Sequence, residues 1–188
     1  FQAMIKDWRK QWGYKFPFYF VQIAPYNYEN GESAALRNAQ YKSTATSNTG
    51  IVSTLDLGNA KNIHPANKTD VGKRLANLAL GYDYDVFGRL RASKPVGITR
   101  NGSKLIVNFD CQDGGYVSLK PNTNEIEISS DNITYYPAKV FADGCSIILS
   151  SYKVPRPKYV RHAWSDVSTG SIINKHNEAI CTFFLTVE

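Results

Sequence analysis

The feature that most constrains the fold of this chain is a change of hydrophobic period near residue 87. Before it, apolar residues fall in helical stripes and unbroken runs. After it, they alternate with polar ones. Phe1, Met4, Ile5, Trp8 and Trp12 recur at helical spacing as one apolar stripe, which Gly13 ends. The run F-P-F-Y-F-V-Q-I-A, residues 16–24, is nearly continuous, as in a strand buried on both faces. Residues 33–44 read as an alanine-rich second helix with Ser33 as N-cap. Residues 51–57 read as the next buried strand. Residues 67–80 read as the last helix, capped by Asn67 with Asp70 three residues on, and with Val71, Leu75 and Leu78 facing inward. Helices alternating with strands predict an α/β arrangement, a parallel sheet covered by helices.

In the second half, Leu105, Val107 and Phe109 alternate with polar residues after an Asn101-Gly102 turn, and Asp143-Gly144 precedes Ile147 and Leu149. Ile126 and Ile128 alternate again, and residues 179–187 close the chain as another strand-like run. The pattern predicts a small antiparallel β-sandwich. Two domains are therefore expected, 1–84 and 85–188, joined by a short linker (81–94) whose aromatic residues pack the halves together. Two strands and three helices leave both faces and one edge of the first sheet poorly covered. That predicts further polypeptide upstream. The opening F-Q-A-M-I-K-D-W, already inside a helical pattern, reads as a mature or truncated piece.

Charge and cysteines narrow the function. The chain carries 22 basic and 16 acidic residues, a net charge of +6, but the basic residues are scattered instead of forming a dense face. This argues against a nucleic-acid partner. No run reaches the roughly 18 apolar residues a membrane span needs. Cys111, Cys145 and Cys181 show no C-x-x-C spacing, which argues against zinc and for buried free thiols.

The chain has three histidines. His64 stands in N-I-H-P-A-N-K, residues 62–68, between the second buried run and the last helix. Functional groups of open α/β sheets gather beyond the carboxyl ends of strands, and Pro65 holds His64 in extended geometry. Two readings stand: a positioned base that takes a proton from a hydroxyl nucleophile, or a residue that fills a gap at the helix start. Asp56, at the end of the same run, is the candidate acid to orient it, or else a carboxylate that binds nearby backbone N–H groups. His162 and His176 read as structural or surface residues. No G-x-S-x-G or G-D-S motif supplies a nucleophile, and Ser33 lacks the second glycine of an elbow turn.

The segment T-L-D-L-G-N-A-K-N-I-H-P-A-N-K-T-D-V-G-K-R-L resembles the carboxy-terminal catalytic block of sialate O-acetylesterases, serine esterases of the SGNH (GDSL-like) class. M-I-K-D-W-R-K-Q-W-G, F-P-F-Y-F-V-Q-I-A-P-Y and L-R-N-A-Q resemble preceding elements of that family, and P-K-Y-V-R-H-A-W and I-I-N-K its terminal sandwich. The resemblance implies the last part of a three-layer α/β/α SGNH domain followed by an antiparallel β-sandwich. It also implies an enzyme that removes O-acetyl groups from sialic acid or related sugars without a cofactor, in the periplasm or outside the cell. His64 would be its catalytic base, oriented by Asp56 or by a backbone carbonyl in place of the aspartate that the class carries three residues before its histidine, where this chain has Lys61. Serine nucleophile and oxyanion hole belong to motifs upstream of this stretch. The implied partners are an acetylated sugar and the missing amino-terminal portion, without which the chain would be inactive. The alternative is a non-catalytic carbohydrate-binding or structural sandwich, with Tyr135, Tyr136, Tyr152, Tyr159 and Trp164 as stacking platforms or as core.

Overall fold

A computed structural model of the chain describes residues 1–28, 31–84, 86, 93–111, 115–121 and 123–187. α1 (Gln2–Trp12) ends where Gly13 turns left-handed, φ 78°, a geometry that favours glycine. β1 (Phe18–Val21) and β2 (Thr49–Val52) run parallel, Phe18 opposite Thr49 and Val21 opposite Val52. α2 (Ser33–Lys42) connects them, and α3 (Lys68–Tyr82) follows β2. Both strands are shorter than the apolar runs that contain them. The ladder continues only as far as Gln22 N–H donating to Val52 O at 2.9 Å. There the Thr54 hydroxyl takes Gln22 O at 2.8 Å, a side chain replacing the next ladder bond.

Among the described residues the second half holds ten strands: β3 (Pro95–Asn101), β4 (Lys104–Phe109), β5 (Val117–Leu119), β6 (Ile126–Ser129), β7 (Tyr136–Pro137), β8 (Lys139–Asp143), β9 (Ser146–Ser150), β10 (Tyr159–His162), β11 (Ile172–Asn174) and β12 (Phe183–Thr186). One four-stranded sheet has the order β3-β4-β9-β8, another β12-β10-β6-β7, and β5 pairs with β11. All these pairings are antiparallel. Leu105, Val107, Ile147 and Leu149 of the first sheet and Ile126, Ile128, Val160 and Phe183 of the second are fully buried in one shared core. The period of two therefore marked the inward faces correctly. Each such side chain contributes about 1.5–3 kcal/mol of burial.

The halves are joined by polar side chains as much as by apolar ones. Leu55 packs with Ala163 and Ala179, and Cys181 with Phe20 and Ile51. Between these clusters, Gln22 is fully buried and clamps β12's approach: its Oε1 accepts from Thr182 N–H at 2.9 Å and its Nε2 donates to Arg37 O at 2.8 Å. Arg37, also fully buried, donates to Thr182 Oγ1 (2.8 Å), Ser33 Oγ (3.0 Å) and Ala163 O (3.2 Å), and to Ser165 O. Asn38 Oδ1 accepts from Phe184 N–H at 3.0 Å. Half of the linker expected to join the halves, residues 85 and 87–92, lies outside the described residues.

Two local expectations are corrected. Ser33 is not the N-cap of α2. Glu32 holds that position without a capping bond, and the Ser33 hydroxyl instead donates to Asp166 Oδ1. The α1 stripe is not buried either: Ile5 is covered, but Phe1, Trp8 and Trp12 remain 50%, 42% and 63% exposed. A two-stranded sheet offers that helix too little surface. Arg9 anchors it instead, donating to Phe16 O, Ser47 O (2.8 Å) and Asn48 O (2.7 Å).

Candidate active site

His64 lies on the loop between β2 and α3, beyond the carboxyl ends of both parallel strands. Asparagines shape this loop. Asn59 Oδ1 accepts from Lys61 N–H at 2.8 Å, and Asn62 Oδ1 from His64 N–H at 2.9 Å. These are Asx turns, in which a short amide side chain imitates a backbone turn. Asn67 then caps α3, its Oδ1 accepting from Asp70 N–H at 3.1 Å and its Nδ2 donating to Asp70 Oδ2 at 2.7 Å. That bond from Asn67 holds the Asp70 carboxyl below its ordinary range. The capping pair read from the sequence is present.

The neighbouring β1–α2 loop braces the turn. Asn27 N–H donates to Ala60 O at 3.0 Å, and the Pro25 ring lies where a side chain on Gly58 would have to go, 2.4 Å from the position of its Cβ. His64 itself is exposed, and its imidazole makes no hydrogen bond among the described residues.

Asp56 and His64 share no hydrogen bond among the described residues. Asp56 sits in the turn after β2, where both carboxylate oxygens accept from Arg74, Nη1 to Oδ1 at 2.8 Å and Nη2 to Oδ2 at 2.6 Å. Arg74 also donates to Ser53 O at 2.8 Å and lies 3.6 Å from Glu178 Oε1. Burial opposes the charge of Arg74, but the hydrogen bond and charge of Asp56 outweigh it and raise its pKa. A bidentate pair of this kind is strong and fixes the orientation of the carboxylate. Here it fixes α3 to the end of β2, and so fixes the loop between them.

Ser33 is 5% exposed and engaged by Asp166 and Arg37, a positioned hydroxyl and not a free nucleophile. The Ser33 hydroxyl and the backbone N–H groups of Ser33 and Gly31 hold the Asp166 carboxyl below its usual range. Among the described residues no three His, Cys, Asp or Glu side chains gather as metal ligands would.

Arg37, Arg74, Asp166 and Glu178 were missed from sequence. The first two left a readable signal. Arg37 shares a helical face with Ala34 and Tyr41, and Arg74 with Leu78; a cation on an apolar stripe must find buried acceptors.

No protein-family model and no curated protein matches the chain. Among solved structures, a carbohydrate acetylesterase from Xanthomonas citri superposes with a TM-score of 0.89 and 31% sequence identity. The match covers 100% of this chain and 45% of that protein, so the chain spans less than half the length of the esterase it matches. Along its whole length the chain is thus similar to one part of a carbohydrate acetylesterase.

Proposed function

We propose that this chain is the carboxy-terminal portion of a serine carbohydrate esterase of the SGNH type, acting on O-acetylated sialic acid or related sugars in the periplasm or outside the cell. In this reading residues 1–84 complete an α/β/α catalytic domain and residues 85–188 form a sandwich that supports it. The observation that carries the proposal is His64: exposed, held by an Asx turn and Pro65, at the carboxyl ends of two parallel strands in a chain that superposes on a carbohydrate acetylesterase.

A serine of the amino-terminal portion attacks the acetyl carbonyl while His64 accepts its proton. The imidazolium then protonates the departing sugar oxygen, and water repeats the sequence to release acetate. Asp56 is the candidate acid of the site and also braces the loop, since both its oxygens accept from Arg74. The uncovered aromatic stripe of α1 and the two-stranded sheet favour an amino-terminal partner layer. The buried Gln22–Arg37–Thr182 clamp favours support over glycan binding for the second half.

An aryl acetate assay tests this. The chain alone is expected to show no turnover above buffer, since losing even one oxyanion donor costs about 10²–10³ in rate. With the amino-terminal portion restored, His64→Ala should lower kcat by about 10²–10⁴. Stability should move by less than about 0.5 kcal/mol, because the ring is exposed. Full kcat in that variant would refute the assignment.

A further inference from the structure

We propose that Cys111 and Cys145 are a disulfide-forming pair, a modification site that ties the end of β4 to the β8–β9 turn when the chain meets an oxidising thiol–disulfide reagent. Sequence separation hides the pair, since the two cysteines are 34 positions apart. Sheet register reveals it. β4 and β9 are neighbours, with Asn108 opposite Ser146, and the ladder runs one step further as Phe109 N–H donates to Cys145 O at 2.8 Å. Cys111 stands two residues past Phe109, diagonally across from Cys145.

The Cys145 side chain reaches the Cys111 backbone. Cys145 Sγ lies 3.9 Å from Cys111 O and 3.1 Å from Gly115 O, which sets the two thiols side by side. Contrary to the reading as buried thiols, both are partly exposed and open to a small reagent. Cys181 is only 7% exposed, packed against Phe20 and Ile51, and serves as an internal control. A diagonal cross-strand pair has Cα atoms about 7–8 Å apart, just beyond the usual disulfide range of about 4.4–6.8 Å. Here Cys111 has left the ladder and Cys145 sits in a turn, so a small shift of either backbone closes the difference.

The oxidant is a disulfide such as oxidised glutathione. One cysteine thiolate attacks a glutathione sulfur and expels one glutathione thiolate. The second cysteine attacks the mixed disulfide and expels the other. Two electrons pass from the cysteine pair to the reagent, and the two protons of the cysteines end on two reduced glutathiones. Burial and the adjoining Cys145 thiol push the Cys111 thiol up to about 12, so exchange at neutral pH is slow. The closed bridge constrains the unfolded chain over the loop 111–145.

The experiment incubates the full chain with oxidised glutathione at about pH 8.5, with dithiothreitol in a parallel sample, then counts thiols after denaturation. The reduced chain has three cysteines. The oxidised chain should retain one thiol, Cys181, and yield a proteolytic peptide joining Cys111 to Cys145. Its thermal midpoint should rise by about 5–10 °C. Cys145→Ser and Cys111→Ser should each abolish the linked peptide, while Cys181→Ser keeps it. Three thiols surviving oxidation, a bridge through Cys181, or bridges only between chains would each overturn the proposal. If the serine variants fail to fold, the peptide map of the unaltered chain decides alone. The readout is independent of esterase activity.

Discussion

His162 makes the stability of this protein sensitive to acid in a window that carboxylates do not share. The ring is fully buried between β10, β12 and the approach to β11. Its Nδ1 donates to Cys181 O at 3.2 Å, and its Nε2 accepts from Ser171 N–H at 3.2 Å and Ile172 N–H at 3.4 Å. A second proton on Nε2 would face two backbone donors with no water. Burial, with the Arg37 guanidinium nearby, lowers its pKa from the ordinary 6.5 to about 4. The unfolded chain therefore binds this proton first. Stability is fully present above 6.5 and is lost as pH falls toward 4. By linkage the loss is about 2 kcal/mol at pH 5 and about 3 kcal/mol by pH 4. With a urea slope of about 2 kcal/mol/M, the midpoint should fall by about 1 M between pH 8 and pH 5. Asp70, Asp131 and Asp166, whose pKa values are also lowered, start from 3.8 and act only below this window. Urea titrations followed by tryptophan fluorescence at several pH values, on the parent and on His162→Gln, measure the effect. His162→Gln should start less stable but lose little more between pH 8 and pH 5. Equal pH slopes in the two proteins would refute the reasoning.

Replacing Arg37 with Met should cost about 3–5 kcal/mol, read by urea denaturation, because the acceptors Ala163 O, Ser165 O and Thr182 lose a buried cation. A midpoint within error of the parent would show the clamp to be unimportant. Asn67→Ala removes the cap of α3 and should cost about 1 kcal/mol in the same assay. Gly58→Ala drives a methyl into the Pro25 ring and should cost about 1–3 kcal/mol. In the complete enzyme it should also lower kcat, since Gly58 lies on the loop that presents His64.

Much of this arrangement could be read from local pattern. Gly13 ended α1, the turns at Asn101-Gly102 and Asp143-Gly144 closed their hairpins, and Asn67 with Asp70 started α3. Each depends on interactions within a few residues. The position of His64 beyond β2 was legible for the same reason, since strand, Asx turn, proline and cap follow one another along the chain. The sequence by itself thus determined the three helices, the two parallel strands in outline, the inward faces of several antiparallel strands and the place of the candidate base. Only the tertiary structure decided which polar groups meet. Asp56 turned to Arg74, Ser33 to Asp166, Gln22 to Thr182 and Cys111 to Cys145. The physical reason is that a buried polar group must find a partner wherever packing puts one, and packing joins residues whose separation in sequence carries no periodic signal.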